Sequence, residues 1–111
     1  VVEEAFAEVP RLHGAVATVI PVALRRWRKH PLRSLRGTEA RHARDALRRQ
    51  RYDAVIDAQG LVKSALVARL VDAPRHGLDW RSAREPLASS AYHHVIRIPR
   101  ELHAVHRSRL L

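Results

Sequence analysis

The sequence contains no cysteine. Disulfides, thiol nucleophiles and cysteine-ligated zinc are therefore excluded. It has no apolar run of the roughly 20 residues that a membrane-spanning helix needs. Its four glycines, Gly14, Gly37, Gly60 and Gly77, are too scattered for a phosphate loop or a dinucleotide fingerprint. No G-x-S-x-G elbow surrounds Ser64, so nothing marks that hydroxyl as a nucleophile. Methionine is absent as well, and the opening Val1-Val2-Glu3-Glu4 lacks the basic and apolar regions of a signal peptide. Those four residues read as the end of a strand entered without a lead-in. The expectation is a cytoplasmic-type soluble chain that is an internal piece of a longer protein.

What is present is globular. The 111 residues are 46% hydrophobic, enough to build one core and too many for a solvated tail. Acidic residues are scarce in one place. Between Arg25 and Arg51 stand eleven basic residues against only Glu39 and Asp45. Nearly all of the net charge of +10 is therefore concentrated in a quarter of the chain. Such a field attracts phosphate-rich partners: nucleic acid, anionic lipid headgroups or a phosphorylated sugar. The cations are almost all arginine, whose fork suits two-point contacts with phosphate and carboxylate. Codon bias in a GC-rich gene accounts for much of that preference, but not for the clustering.

The pattern of segments predicts an α/β fold. Residues 3–14 read as a short helix with Phe6, Val9 and Leu12 at spacing three, interrupted by Pro10. Ala17–Val22 reads as a buried strand. Thr38 is the expected N-cap of a helix to about Gln50, with Ala40, Ala43 and Leu47 as its apolar stripe. Tyr52–Ala58 is the clearest strand, with the apolar centre of a parallel strand covered on both faces. A helix from Gly60 to about Asp72 follows, burying Leu61, Ala65, Leu66, Ala68 and Leu70. Arg75–Trp80 reads as a short strand or loop, Leu87–His94 as a helical turn or two, and Arg100–Leu111 as a last helix. Alternating strands and helices at this spacing imply layers around a parallel sheet.

Eight histidines invite a metal reading, but His93-His94 and His103 with His106 match no metal-binding spacing. Surface or packing roles fit them better. The segment Asp57-Ala58-Gln59-Gly60-Leu61-Val62-Lys63-Ser64 is more informative, because ligands of open α/β sheets bind at the carboxyl ends of strands. Gly60 allows close backbone approach and the following helix start favours an anion. Asp57 and Gln59 suit sugar hydroxyls and Lys63 suits a phosphate. An equally good account is a plain turn in which Asp57 bonds loop amides. The run Arg25-Arg26-Trp27-Arg28-Lys29 has three readings: a solvated face, an RNA strip with Trp27 stacking on a base, or an anion clamp near a membrane.

Several strings resemble the lipopolysaccharide heptosyltransferase I family, within glycosyltransferase family 9. They are Val1-Val2-Glu3-Glu4, Val19-Ile20-Pro21-Val22-Ala23, Arg25-Arg26-Trp27-Arg28-Lys29 and Tyr52-Asp53-Ala54-Val55-Ile56-Asp57-Ala58-Gln59-Gly60-Leu61-Val62-Lys63-Ser64. Further along stand His76-Gly77-Leu78-Asp79-Trp80, Ala83-Arg84-Glu85-Pro86-Leu87-Ala88 and His103-Ala104-Val105. Order and spacing hold along nearly the whole chain, with one residue fewer in the Ser64-Ala65-Leu66 helix. The stretch from Pro31 to Arg51 departs most.

The resemblance implies a Rossmann-like parallel sheet, with residues 1–111 as part of the N-terminal, acceptor-binding domain of a GT-B glycosyltransferase. It implies inverting transfer of L-glycero-D-manno-heptose from ADP-heptose to Kdo on Kdo2-lipid A, with no metal and no cofactor. The place of action is the cytoplasmic face of the inner membrane, touched peripherally through anionic lipid. No nucleic acid is expected as a partner. By the same resemblance Arg25, Arg26, Lys29 and Arg84 fall on positions associated with the anionic acceptor, and Arg28 and Arg107 are further candidates. The general base belongs to a loop after the first strand, upstream of Val1, and the donor domain belongs beyond Leu111. The expectation is therefore that no catalytic residue lies in this chain and that it is inactive alone. The contrasting reading is a basic nucleic-acid-binding module driven by the charged window.

Overall fold

The computed structural model describes residues 1–27 and 37–111. It divides into two units, Val1–Gln50 and Arg51–Leu111. Arg28 and Lys29, together with the expected helix stop at Pro31, lie outside the described residues.

In the first unit, β1 (Val2–Glu3) runs parallel to β2 (Pro21–Val22). A 3-10 turn (Glu4–Phe6) and the helical turn α1 (Glu8–Arg11) follow β1. The short helix α2 (Leu24–Trp27) follows β2, and α3 spans Thr38–Arg48. The strand expected over Ala17–Val22 is cut to two residues, because its partner β1 offers a ladder of only that length. Phe6, Val9 and Leu12 are exposed, so their spacing marks no buried face. Thr38 is the first helical residue rather than the cap; Gly37, in extended conformation, takes that place. Leu47 is buried and Ala40 and Ala43 half-buried, as the stripe predicts.

In the second unit, β3 (Val55–Asp57), β4 (Arg75–Leu78) and β5 (His94–Ile96) form a parallel sheet in that order. Ile56, His76 and His94 share one row, and Asp57, Gly77 and Val95 the next. The rings of His76 and His94 stack with centroids 4.6 Å apart. α4 (Val62–Ala68) links β3 to β4, and a 3-10 segment (Pro86–Ala91) leads into β5. α5 (Ala104–Arg109) starts at His103, whose ring nitrogen accepts from the Val105 N–H at 3.4 Å.

The core of this unit forms two small groups. Ala65, Ala88 and Tyr92 pack together, as do Leu78, Ala83 and Ile98. Gly77 is required by the first group. A Cβ there would collide with the Tyr92 ring, which occupies the space the missing side chain leaves. Several expectations are corrected here. β3 is three residues long, and its Ile56 is 60% exposed rather than covered on both faces. α4 ends at Ala68, where the chain turns, and Leu66 points outward. β5 was unexpected altogether; it lies where the end of a helical turn was expected. The last helix begins four residues later than Arg100, since His103 supplies its cap.

Candidate functional site

Every strand of either sheet runs parallel to its neighbour, so strand carboxyl ends share one edge within each unit. In the first unit that edge carries Glu3, Glu4 and the α2 arginines. Glu3 accepts the Arg25 backbone N–H at 3.2 Å, and Glu4 takes the Arg26 guanidinium at 3.0 Å. Arg26 also meets Glu39 of α3 at 3.0 Å. Hydrogen bonds to Glu39 and then Glu4 push Arg26 above the usual arginine range. One guanidinium thus ties three elements of the unit together. Arg25 is different: its side chain is exposed, with the guanidinium carbon 5.9 Å from the Phe6 ring centre. Trp27 is half-buried and lines a cleft of about 450 Å³ with Thr18, Glu4, Arg26, Glu39 and His42.

In the second unit the edge is built around Asp57, which is buried at 6% exposure. One carboxylate oxygen accepts the Gln59 N–H at 2.9 Å and the Gly60 N–H at 3.4 Å. The other accepts the Ser64 hydroxyl and the Tyr92 hydroxyl, each at 2.7 Å. Burial, and then the adjacent Asp57, push the Tyr92 phenol well above its ordinary value. Four donors saturate Asp57. Its chemistry is to fix the turn, as in the plain-turn account, and a sugar hydroxyl finds no free oxygen there.

Gly60 has φ +61°, a region that favours glycine. A Cβ at Gly60 would lie 3.1 Å from the Ala83 backbone, so its close approach serves the protein's own chain rather than a ligand. The start of α4 is likewise occupied from within. The Glu85 carboxylate accepts the Val62 N–H at 2.6 Å, and the Glu85 N–H donates to the Gly60 carbonyl at 3.0 Å. Gln59 and Lys63 remain exposed on this turn.

The turn after β4 is held as firmly. Asp79 accepts the Ser82 N–H at 2.8 Å, and hydrogen bonding from Ser82 holds its carboxyl below the usual range. The Ser82 hydroxyl accepts the Ile98 N–H at 2.8 Å. Arg107 donates to the Ser82 carbonyl at 2.7 Å, and Arg100 donates to the Ala83 carbonyl. Arg107 therefore points into the protein behind the turn, with its Nε buried and unpartnered. Between fixed neighbours stands Arg84, exposed and without an ion pair among the described residues. Glu85, Arg100 and Tyr92 were missed by sequence reasoning. In the sequence Glu85 stands only as one member of the string Ala83-Arg84-Glu85-Pro86-Leu87-Ala88.

Among the described residues no group of three or more histidine or carboxylate side chains is placed to hold a metal ion. No helix among them is long and apolar enough to cross a membrane.

Two parallel units with charged turns at the carboxyl edges of their strands define the class of fold as α/β. The family model for glycosyltransferase family 9 (heptosyltransferase) matches residues 40–111, and the chain belongs to that family. It is 54% identical to lipopolysaccharide heptosyltransferase 1 of Escherichia coli K12 over all of this chain and 35% of that protein. The corresponding Pseudomonas aeruginosa protein is also 54% identical, with 100% and 32% covered. The solved E. coli heptosyltransferase WaaC with ADP-2-deoxy-2-fluoro heptose matches with a TM-score of 0.90 and 52% identity over 97% of this chain and 35% of that one. The chain thus spans about a third of the length of the relatives it matches, and its fold is part of the GT-B arrangement.

Proposed function

We propose that this chain is the acceptor-binding part of a lipopolysaccharide heptosyltransferase I. The whole protein transfers L-glycero-D-manno-heptose from ADP-heptose to a Kdo hydroxyl of Kdo2-lipid A, inverting at the anomeric carbon. Its general base comes from a segment preceding Val1 and its donor site from one following Leu111. The observation that carries this reading is the end-to-end identity of 54% with the E. coli protein. The solved relative's ADP-heptose analogue supports the same class of donor.

Kdo carboxylates and lipid A phosphates are the anions to be met. Arg84 is the best-placed cation, because its turn is rigid and its guanidinium is free of acidic partners among the described residues. Arg25 and the adjoining Arg28 and Lys29 supply further charge, Trp27 a face for a sugar ring, and Gln59 and Lys63 polar contacts. Arg26 in the first unit, and Asp57, Gly60 and Arg107 in the second, are engaged with groups of their own unit, which favours supporting roles for them. The protein meets the cytoplasmic face of the inner membrane peripherally, through the same cations.

The nucleic-acid reading is weakened by Glu3, Glu4 and Glu39, which offset the arginines of α2. A chimera tests the proposal: this chain replaces the corresponding third of the E. coli enzyme and is assayed with ADP-heptose and Kdo2-lipid A. Transfer by the chimera and none by the isolated chain are expected. A folded chimera without activity, or turnover by the chain alone, overturns it.

A further inference from the structure

We propose that Glu85 is a positioning residue that acts through Arg84. The inference rests on the reading that Arg84 meets an anion of the acceptor. Glu85 stands directly beside that arginine, where a carboxylate should repel the same anion. Its own contacts explain why it is tolerated. The carboxylate accepts the Val62 N–H at 2.6 Å and the backbone N–H donates to the Gly60 carbonyl at 3.0 Å. Both bonds join the Arg84 turn to the turn that carries Gln59 and Lys63.

On the other side of Arg84, Ala83 is fully buried, its N–H bonded to the Asp79 carbonyl at 2.9 Å and its carbonyl to Arg100. Arg84 is thus held from both neighbours. Glu85 supplies the only side-chain bond, among the described residues, from the Arg84 turn to the start of α4. A fixed backbone lowers the ordering cost of placing the guanidinium on an anion. Loss of Glu85 frees that backbone and removes a repulsive charge at once. Positioning and repulsion therefore predict opposite signs.

The experiment measures binding of the chain to phosphatidylcholine vesicles with and without Kdo2-lipid A. Arg84→Ala should weaken the Kdo2-lipid A component about tenfold, the scale of one charge-assisted contact. Glu85→Ala should weaken it by about fivefold alone, and by less than about twofold in the Arg84→Ala background, the non-additivity of residues that act as one. Glu85→Gln keeps an oxygen for the Val62 N–H and should stay within about twofold of the parent or bind more tightly. Amide exchange at Val62 should quicken in Glu85→Ala and not in Glu85→Gln.

Tighter binding by Glu85→Ala overturns the proposal in favour of repulsion. An equal loss with and without Arg84 overturns it in favour of a general structural role. If Glu85→Ala fails to fold, a loss by the folded Glu85→Gln comparable to that of Arg84→Ala overturns it. No change on Arg84→Ala overturns the acceptor reading itself, and positioning with it.

Discussion

Each of the two units is stabilised internally by different physics. In the first, the described contacts between elements are largely ionic and wet: Arg26 between Glu4 and Glu39, each side chain about half exposed. Few side chains there are buried, chiefly Val22, Ala23 and Leu47. In the second, one charge is inside. Asp57 is buried and satisfied by four neutral donors, and the turns are locked by backbone bonds. Exposed pairs are screened by salt and contribute little, whereas a buried acceptor that loses its role leaves every donor stranded. High charge in the sequence therefore lies where it stabilises least, and the one buried carboxylate among the described residues, Asp57, lies where it matters most.

Four measurements sharpen that contrast, each read as unit-resolved hydrogen exchange with denaturant melts. Asp57→Ala should cost the most, about 3 kcal/mol, because it strands the Tyr92 hydroxyl and the Gln59 and Gly60 amides, while the Ser64 hydroxyl keeps the Leu61 carbonyl as its acceptor. Gly77→Ala forces a methyl against Tyr92 and should cost about 2–3 kcal/mol through overpacking, confined to the second unit.

Tyr92→Phe removes one hydroxyl bond and should cost about 1–2 kcal/mol. It should also change the pH profile. The folded phenol titrates above its ordinary value of 10.0, so its share of stability is complete below that pH and is lost as pH rises beyond it. The alkaline fall should shrink in the Phe variant. Glu39→Gln should cost least, a small loss at low salt that disappears in about 1 M salt. A large, salt-resistant effect of Glu39→Gln, or a negligible one of Asp57→Ala, would break the contrast.

The segments legible in the sequence were those with a long local pattern. The α3 stripe, the β3-turn-α4 run and the fold class all follow from periodicity and from Gly60. β5 was lost because three residues carry no period, although Val95 and Ile96 are β-branched and Pro99 follows close behind. For the site, the positions of the arginines could be counted but their partners could not. Glu39 stands 13 residues from Arg26 along the chain, and Ser82 stands 25 from Arg107. Such pairings are made by tertiary packing. The same limit hid Glu85, whose bond to Val62 spans 23 residues. The resemblance named the right family but not which of its arginines face outward.

The parallel ladder has a practical side. In the second unit the turns leaving the strands lie at one edge of the sheet, so the loops entering the strands lie at the other. Asp53, Asp72 and His93 are exposed there, away from the turns that carry Gln59, Lys63 and Arg84. His93 holds the Arg75 backbone and guanidinium, so Asp53 and Asp72 are the positions to use, and a cysteine at either would be the sole thiol in this chain. It would give a fluorophore or a spin label an address on the side opposite the proposed acceptor contacts, from which binding could be watched without being disturbed.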